Sequence, residues 1–519
     1  MSFTSLTFLA FLAGLIVLYY VLPRKLQWVL LLAASCAFYL CGGAKTIGYL
    51  AFTALTTYTA GRRLGVLNAR WRALEPQEKK AQKRAHDRRR KGAVWAVCLA
   101  NFGVLFALKY WAFLADALSR RTGLSVFAPE LLMPVGVSFY TFQSIGYVVD
   151  CYRGKVQPQK NFAKYALFVS FFPQIVQGPI GRYDALAPQL LAEHPLDWEN
   201  IRGGLQLALW GYFKKLLLAE RTAALVSTVF SSPESYGGAV LILGVFGYCV
   251  QLYCDFSGGI DISRGAAQML GITMAENFQR PIFARSLTEY WRRWHISLGS
   301  WMRDYVFYPL ALSRPFRALG SFARKHFRGM LSKIFATSMA TFVVYFIIGI
   351  WHGANFRYIA FGLWNGVLIT ASLLLERTFL RWKAALHIND KSAAWRVFMT
   401  LRTMLLVFIG RYFTRSPRLS CVFRFLKTTV LHPQLSQLFD GTLLSFGLAK
   451  TDFLVIALGL AVLLTLECFQ ERGVQIRSAL EKKSGFVQWL AVTALLLAVL
   501  LLGVFRSGYI PSGFIYTQF

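Results

Sequence analysis

The sequence predicts an all-α, polytopic integral membrane protein with about 11–13 spanning helices and re-entrant helices between them. Three observations predict it. Hydrophobic residues make up 56% of the 519 positions and charged residues only 16%, against about 25% charged in a soluble domain. The apolar residues gather into runs close to the ~20 residues needed to cross the hydrocarbon. The basic residues behind the net charge of +33 lie between those runs, which is the signature of membrane topology rather than of nucleic-acid binding. Disordered, collagen-like and disulfide-stapled secreted classes are excluded. Membrane lipid is an expected partner and nucleic acid is not.

Taken in order, the expected crossings are 5–22, 26–42, 46–60, 93–112, 132–150, 202–219, 237–254, 333–352, 355–375, 398–413, 452–468 and 487–505. They form one membrane-embedded domain over 1–519. The first run has no basic segment before it, and Arg24 and Lys25 follow it, so it reads as a first crossing rather than a signal peptide. The loop 61–92 is the topological anchor. Between Gly61 and Lys91 lie twelve Lys/Arg against three Asp/Glu, which places that loop in the cytoplasm and the N-terminus outside. Glu75 to Lys91 reads as a charged surface helix. The basic stretches 377–396 and 470–484 are further cytoplasmic candidates. The segments 163–181 and 418–431 are too short or too interrupted to cross. Pro173 and Pro179 forbid a straight helix in the first of them. Eight scattered cysteines show no CxxC pair and no Cys/His cluster, so a structural role and no metal site are expected.

Ionisable groups at membrane depth are costly and default to function. Five histidines, His86, His194, His326, His387 and His432, sit in polar or basic connectors and read as solvated. His352 differs: it lies between two apolar runs, flanked by Gly349, Gly353 and Ala354. A buried histidine is often only a structural hydrogen-bonder, but a neutral imidazole is also a competent proton acceptor near neutral pH. His295 lies in SLTEYWRRWHISLGSWMRDYVFYPL (286–310), where Trp294 and the charged Arg292, Arg293, Arg303 and Asp304 suit an interfacial or re-entrant element. That is a belt of Trp and Arg, or a set of guanidinium forks for an anionic ligand such as the phosphates of an acyl-CoA. Gln143, Gln174, Gln177 and Asp255 stand in apolar contexts like cavity linings. No phosphate loop, GxSxG elbow or internal repeat occurs.

PVGVSFYTFQSIGYVVDCYRG (134–154), FFPQIVQGPIGRYDALAPQL (171–190), QLYCDFSGGIDISRG (251–265), ENFQRPIFARSLTEYWRRWHISLGSWMRDYVFYPL (276–310) and WHGANFRYIAFGLWNG (351–366) together resemble the membrane-bound O-acyltransferase family, in its alginate O-acetyltransferase branch. The teichoic-acid D-alanyl transferases are the second resemblance. The likeness implies helices around a transmembrane tunnel, core segments within 134–376, His352 as the family's catalytic histidine and His295 as its second. It implies acetyl-CoA as a donor substrate, with no bound cofactor. The acetyl group would pass from the cytoplasm across the cell membrane to a cell-surface polysaccharide, directly or through an extracytoplasmic SGNH-type partner. In that reading His352 is the base, and Asn355, the backbone near Gly353 or His295 supplies oxyanion donors, with Trp351 in the same motif. D-alanyl or other acyl transfer to teichoic acid or peptidoglycan is the alternative acceptor chemistry. A glycan or lipid transporter is the alternative class, though it has no need of a WHGAN motif paired with RRWH.

The last residues, 506–519, are expected outside. Their F-x-Y-x-x-F ending resembles the tail of a small partner peptide in teichoic-acid D-alanylation. That likeness suggests Phe514 and Phe519 as anchors and the Tyr516 hydroxyl as an acyl relay near His352; an interfacial aromatic anchor is the other reading.

Overall fold

The structure, a computed structural model, describes residues 2–41, 43–127, 131 and 133–504. Tyr516, Phe514 and Phe519 therefore lie outside the described residues. Among the described residues the regular structure is helical throughout, and the only strand-like pairing is one antiparallel bridge between Phe278 and Trp294. The chain divides into two compact units interleaved in sequence, Met1–Ala208 with Gly259–Ala275, and Leu209–Gly258 with Glu276–Phe519.

Seven helices among the described residues are long and apolar enough to cross a membrane: Pro76–Thr122, Gly238–Met269, Met330–His352, Phe356–Leu374, Ala393–Arg415, Lys450–Glu471 and Gly485–Leu502. Length accounts for much of the difference from the longer series of expected crossings. The runs at 5–22, 26–42 and 132–150 become helices of 16, 15 and 17 residues, about 22–26 Å at 1.5 Å per residue, short of the ~30 Å hydrocarbon. The third of these, Val137–Arg153, is buried along almost its whole length. The run at 46–60 opens a 27-residue helix, Ile47–Ala73, whose second half carries Arg62, Arg63, Arg70 and Arg72.

The basic connecting stretch 61–92 is mostly helix, including the charged helix expected from Glu75 to Lys91. Leu74 and Glu75 are the break. Pro76 opens the next helix, and a capping box between Glu75 and Glu78 satisfies its first amides. The Lys, Arg, Gln and Ala that follow are good helix formers, so the charged segment and the crossing after it run as one 47-residue helix. The segment 163–181 breaks as its prolines require. Helix Phe162–Ser170 stops, Phe171 is non-helical, and Pro173 enters the first turn of Phe172–Gln177, which ends before Pro179. Both pieces are mostly buried, as irregular backbone at membrane depth must be.

The run at 202–219 contains a π-helical stretch, Phe213–Ala219, which belongs to the second unit and buries Lys214 and Lys215. The Lys215 ammonium pairs with Glu220 at 2.7 Å and with Asp255, all three side chains essentially inaccessible. Lys214 donates to the Ser257 hydroxyl at 3.0 Å. Leu216, Leu217, Leu218, Cys254, Leu463 and Val499 close an apolar core around this pair of lysines. Two charges each way are held in a low-dielectric interior, where such groups survive only when paired.

Candidate active site

His352 is the last residue of the Met330–His352 helix. Gly353 ends that helix with φ 154°, in a region that side chains avoid, and a Cβ there would press on the Tyr358 ring at 3.0 Å. Asn355 then caps the Phe356–Leu374 helix, its side-chain oxygen accepting from the Arg357 amide at 3.1 Å. The two helices lie back to back because Gly349 and Gly362 face each other. A Cβ on Gly349 would stand 2.9 Å from the Gly362 Cα and 2.7 Å from the Tyr358 carbonyl oxygen. Small residues permit such close approach between membrane helices. Gly349→Val should force this hairpin apart and cost about 1–3 kcal/mol, read as a lower Tm in detergent together with reduced turnover; an unchanged Tm would show that the contact is dispensable.

His295 is held by different means. Two short helices, Leu287–Arg293 and Ile296–Met302, would be one but for His295, which adopts φ 48°, ψ 53°. His tolerates this left-handed conformation better than most side chains, yet it still stores strain, as functional positions often do. Asn277 stabilises it. The Asn277 carbonyl accepts from the Ile296 amide at 3.0 Å, and its side-chain Oδ1 accepts from the Ser297 amide at 2.9 Å. The same Oδ1 lies 3.3 Å from His295 Nδ1. Because Oδ1 already serves as an acceptor, the network assigns the proton to Nδ1 and leaves Nε2 as the accepting nitrogen. Phe256 packs edge-on to the imidazole at 4.8 Å. Burial, and then the nearby His352, push the His295 pKa down to about 3, so the ring is neutral at physiological pH.

The two histidines open onto one cavity of about 450 Å³, together with Arg292, Arg303, Tyr345 and Ile348, within the usual ~300–1,000 Å³ of small-ligand sites. The cavity follows the Met330–His352 helix back from His352 through Ile348, Tyr345 and Thr341. His352 also borders a second, narrow gap of about 10 Å³ with Tyr248, Tyr358 and Arg411. In its neutral form an imidazole beside an arginine-bordered cavity can accept a proton from a nucleophile reacting with a ligand held by its anionic end.

The other residues singled out in the sequence fall in several places. Trp294 lines the cavity, its ring stacked on Tyr290 and approached by the Arg411 guanidinium at 5.1 Å. Trp351 is buried with its ring 6.2 Å from that of His295. Asp304 pairs with Arg303 at 2.9 Å. Arg293 is committed elsewhere, to Glu289 at 2.7 Å and Glu471 at 2.8 Å. Asn355 is occupied as a helix cap and Asp255 as a partner of Lys215. Gln143, Gln174 and Gln177 belong to the first unit. There Gln174 donates to Gln143, Gln143 donates to the Phe168 carbonyl, and Gln177 is fully buried. Asn277, Tyr358 and Arg411 were not singled out in the sequence, although Asn277 opens the NFQRP run.

Known proteins give this geometry a setting. The family model for MBOAT, the membrane-bound O-acyltransferase family, matches residues 93–324, which takes in His295 and stops before His352. A probable alginate O-acetylase of Pseudomonas aeruginosa is 33% identical over 435 residues, covering 82% of this chain and 74% of that protein. The chain belongs to the membrane-bound O-acyltransferase family. It is a multi-pass membrane acyltransferase, as its helices and its relatives agree. A peptidoglycan O-acetyltransferase of Helicobacter pylori is 28% identical over 337 residues, 60% of each chain. A teichoic acid D-alanyltransferase of Bacillus subtilis is 25% identical over 295 residues, 55% of this chain and 69% of that one. These relatives of the acyltransferase differ in the acyl group and the acceptor that their names record.

Proposed function

We propose that this acyltransferase moves an acetyl group from cytoplasmic acetyl-CoA across the cell membrane, for O-acetylation of a cell-surface polysaccharide of the alginate type. The last transfer is made directly or through an extracytoplasmic SGNH-type partner. The observation that carries the reading is the placement of His295 and His352 in one cavity bordered by Arg292 and Arg303. The similarity to alginate O-acetylases supports the acetyl group and the acceptor.

The thioester enters with its carbonyl near the two histidines and its phosphates toward the guanidinium groups. The acceptor hydroxyl attacks the carbonyl carbon while His352 takes its proton. The C–O bond forms, the tetrahedral intermediate collapses, the C–S bond breaks, and the coenzyme thiolate regains the proton from His352. His295, with Nδ1–H engaged by Asn277, has no N–H left for an oxyanion in this tautomer, so its part is to shape the polar wall of the cavity beside His352. The orientation follows from charge: Arg324, Lys325 and Arg328 precede the Met330–His352 helix, and Arg377, Arg381 and Lys383 follow Phe356–Leu374. That end of the hairpin is assigned to the cytoplasm, with the His352 turn toward the far side and the N-terminus outside.

Purified protein in liposomes should transfer label from radiolabelled acetyl-CoA to an added uronate polysaccharide or to a co-reconstituted SGNH partner. No donor turnover, alongside glycan counter-flow, would replace the reading with transport. Arg292→Ala combined with Arg303→Ala should raise the KM for acetyl-CoA about tenfold or more, the scale of lost charge-assisted hydrogen bonds, with kcat far less affected. An unchanged donor KM would remove both arginines from the donor site.

A further inference from the structure

Beyond His352 in the sequence, and not among the lining residues of the cavity that holds Arg292 and Arg303, the chain places two more arginines in an unfavourable setting. Arg357 is the second residue of the Phe356–Leu374 helix, directly after its cap Asn355. A cation there faces the positive end of the helix dipole. Its guanidinium lies over the Tyr358 ring at 4.8 Å, donates from Nη2 to the Tyr358 hydroxyl at 3.1 Å, and donates from Nη1 to the Ser416 carbonyl at 2.6 Å. The Arg357 Nε is buried and has no hydrogen-bond partner among the described residues. Arg415, next to Ser416, ends the Ala393–Arg415 helix with its guanidinium over the Phe230 ring at 5.5 Å, near enough to Arg357 for the two charges to act on each other. Both arginines are only partly exposed. Among the described residues no carboxylate forms an ion pair with either.

Two like charges held together in a partly desolvated setting, one of them at the wrong end of a helix, are relieved by an anion. The place is connected to the chemistry. Tyr358, which Arg357 covers, lies 6.2 Å from the His352 ring and lines the narrow gap with Tyr248 and Arg411. A group bound between Arg357 and Arg415 is thus one aromatic ring away from the proposed base.

We propose that Arg357 and Arg415 form an acceptor-side anion site that binds the carboxylate of an acidic sugar unit while a hydroxyl of the same chain is presented to His352. The inference rests on the reading of acyl transfer to an alginate-type polysaccharide and assigns the residues that would recognise its uronate carboxylates. Guanidinium forks match a carboxylate with two parallel hydrogen bonds. Phosphate from the donor has a separate match in Arg292 and Arg303, which line the cavity with the same histidine. Discrimination arises because a neutral sugar leaves both partly buried cations unanswered.

The test is direct binding to purified protein in nanodiscs. Wild-type protein should bind a uronate oligosaccharide about tenfold or more tightly than the same oligosaccharide after its carboxylates are reduced to primary alcohols. Arg357→Gln and Arg415→Gln should each abolish most of that preference, and Arg357→Lys should restore part of it. Monodisperse elution at the wild-type volume checks that the variants fold. Equal affinity of the wild type for the acidic and reduced sugars overturns the site. So does tight binding of free coenzyme A that the Arg357→Gln change removes, which would mark a donor-phosphate site, and so does binding of an acidic protein partner without any uronate preference. A wild type that binds uronate selectively but never turns over acetyl-CoA refutes the acetyl-transfer reading and leaves the anion site standing.

Discussion

His352→Ala should lower acetyl transfer by roughly 10²–10⁴-fold, the contribution of a positioned general base. Expression, elution and donor binding should stay near wild type. The side chain ends a helix, packs among Trp351, Tyr358 and Phe361, and is needed for no helix cap. His352→Gln keeps much of the volume and hydrogen-bonding capacity but no basic nitrogen, and should be as inactive as the alanine variant. Transfer at the wild-type rate by His352→Gln would remove the proton-acceptor role. His295→Ala is the matching control. Its loss should be smaller, and Asn277→Leu should reproduce much of it, because the Asn277 oxygen accepts from Nδ1 and so helps set which ring nitrogen carries the proton.

Lys215→Met should destabilise the protein by about 3–5 kcal/mol, the cost of breaking a buried ion pair from one side. The substitution leaves Asp255 and Glu220 facing one another in the apolar core formed by Leu216, Leu217, Leu218, Cys254, Leu463 and Val499. A large fall in Tm in detergent is the expected result. Adding Asp255→Asn and Glu220→Gln to Lys215→Met should recover much of it, since neutral amides remove the uncompensated charge. Activity should follow stability, because Phe256, next to Asp255, presses on His295. A Tm unchanged by Lys215→Met would mean that the three groups are not mutually dependent.

Some elements were readable because a local rule governs them. The break at Phe171 follows from Pro173 and the stop before Pro179, and no distant contact is required. His352 stood out because an imidazole between apolar runs with glycines on both sides is rare on cost alone. In the 61–92 stretch the charged helix from Glu75 to Lys91 is legible in the sequence, whereas its continuation into the following crossing as one helix is not. Its charge pattern speaks to topology, whereas its helix is decided by propensity and by the cap at Glu75. Lys214 and Lys215 escaped notice inside an apolar run, since their partners Ser257, Glu220 and Asp255 are up to 43 residues away.

By itself the sequence determined that this chain is an all-helical membrane protein, and it singled out His295 and His352 as its two candidate functional histidines. Apolar run length, charge placement and short motifs are local properties, which survive being read one segment at a time. Tertiary structure alone decided that Arg292 and Arg303 share a cavity with both histidines while Arg293, one residue along, turns to Glu289 and Glu471. It alone made Asn277 the partner of His295 and set Arg357 beside Arg415. Neighbouring residues on a helix point about 100° apart, so which arginine meets a ligand depends on how the helix is rotated against its neighbours. That rotation is set by contacts such as Gly349 on Gly362, made between segments that sequence order does not pair.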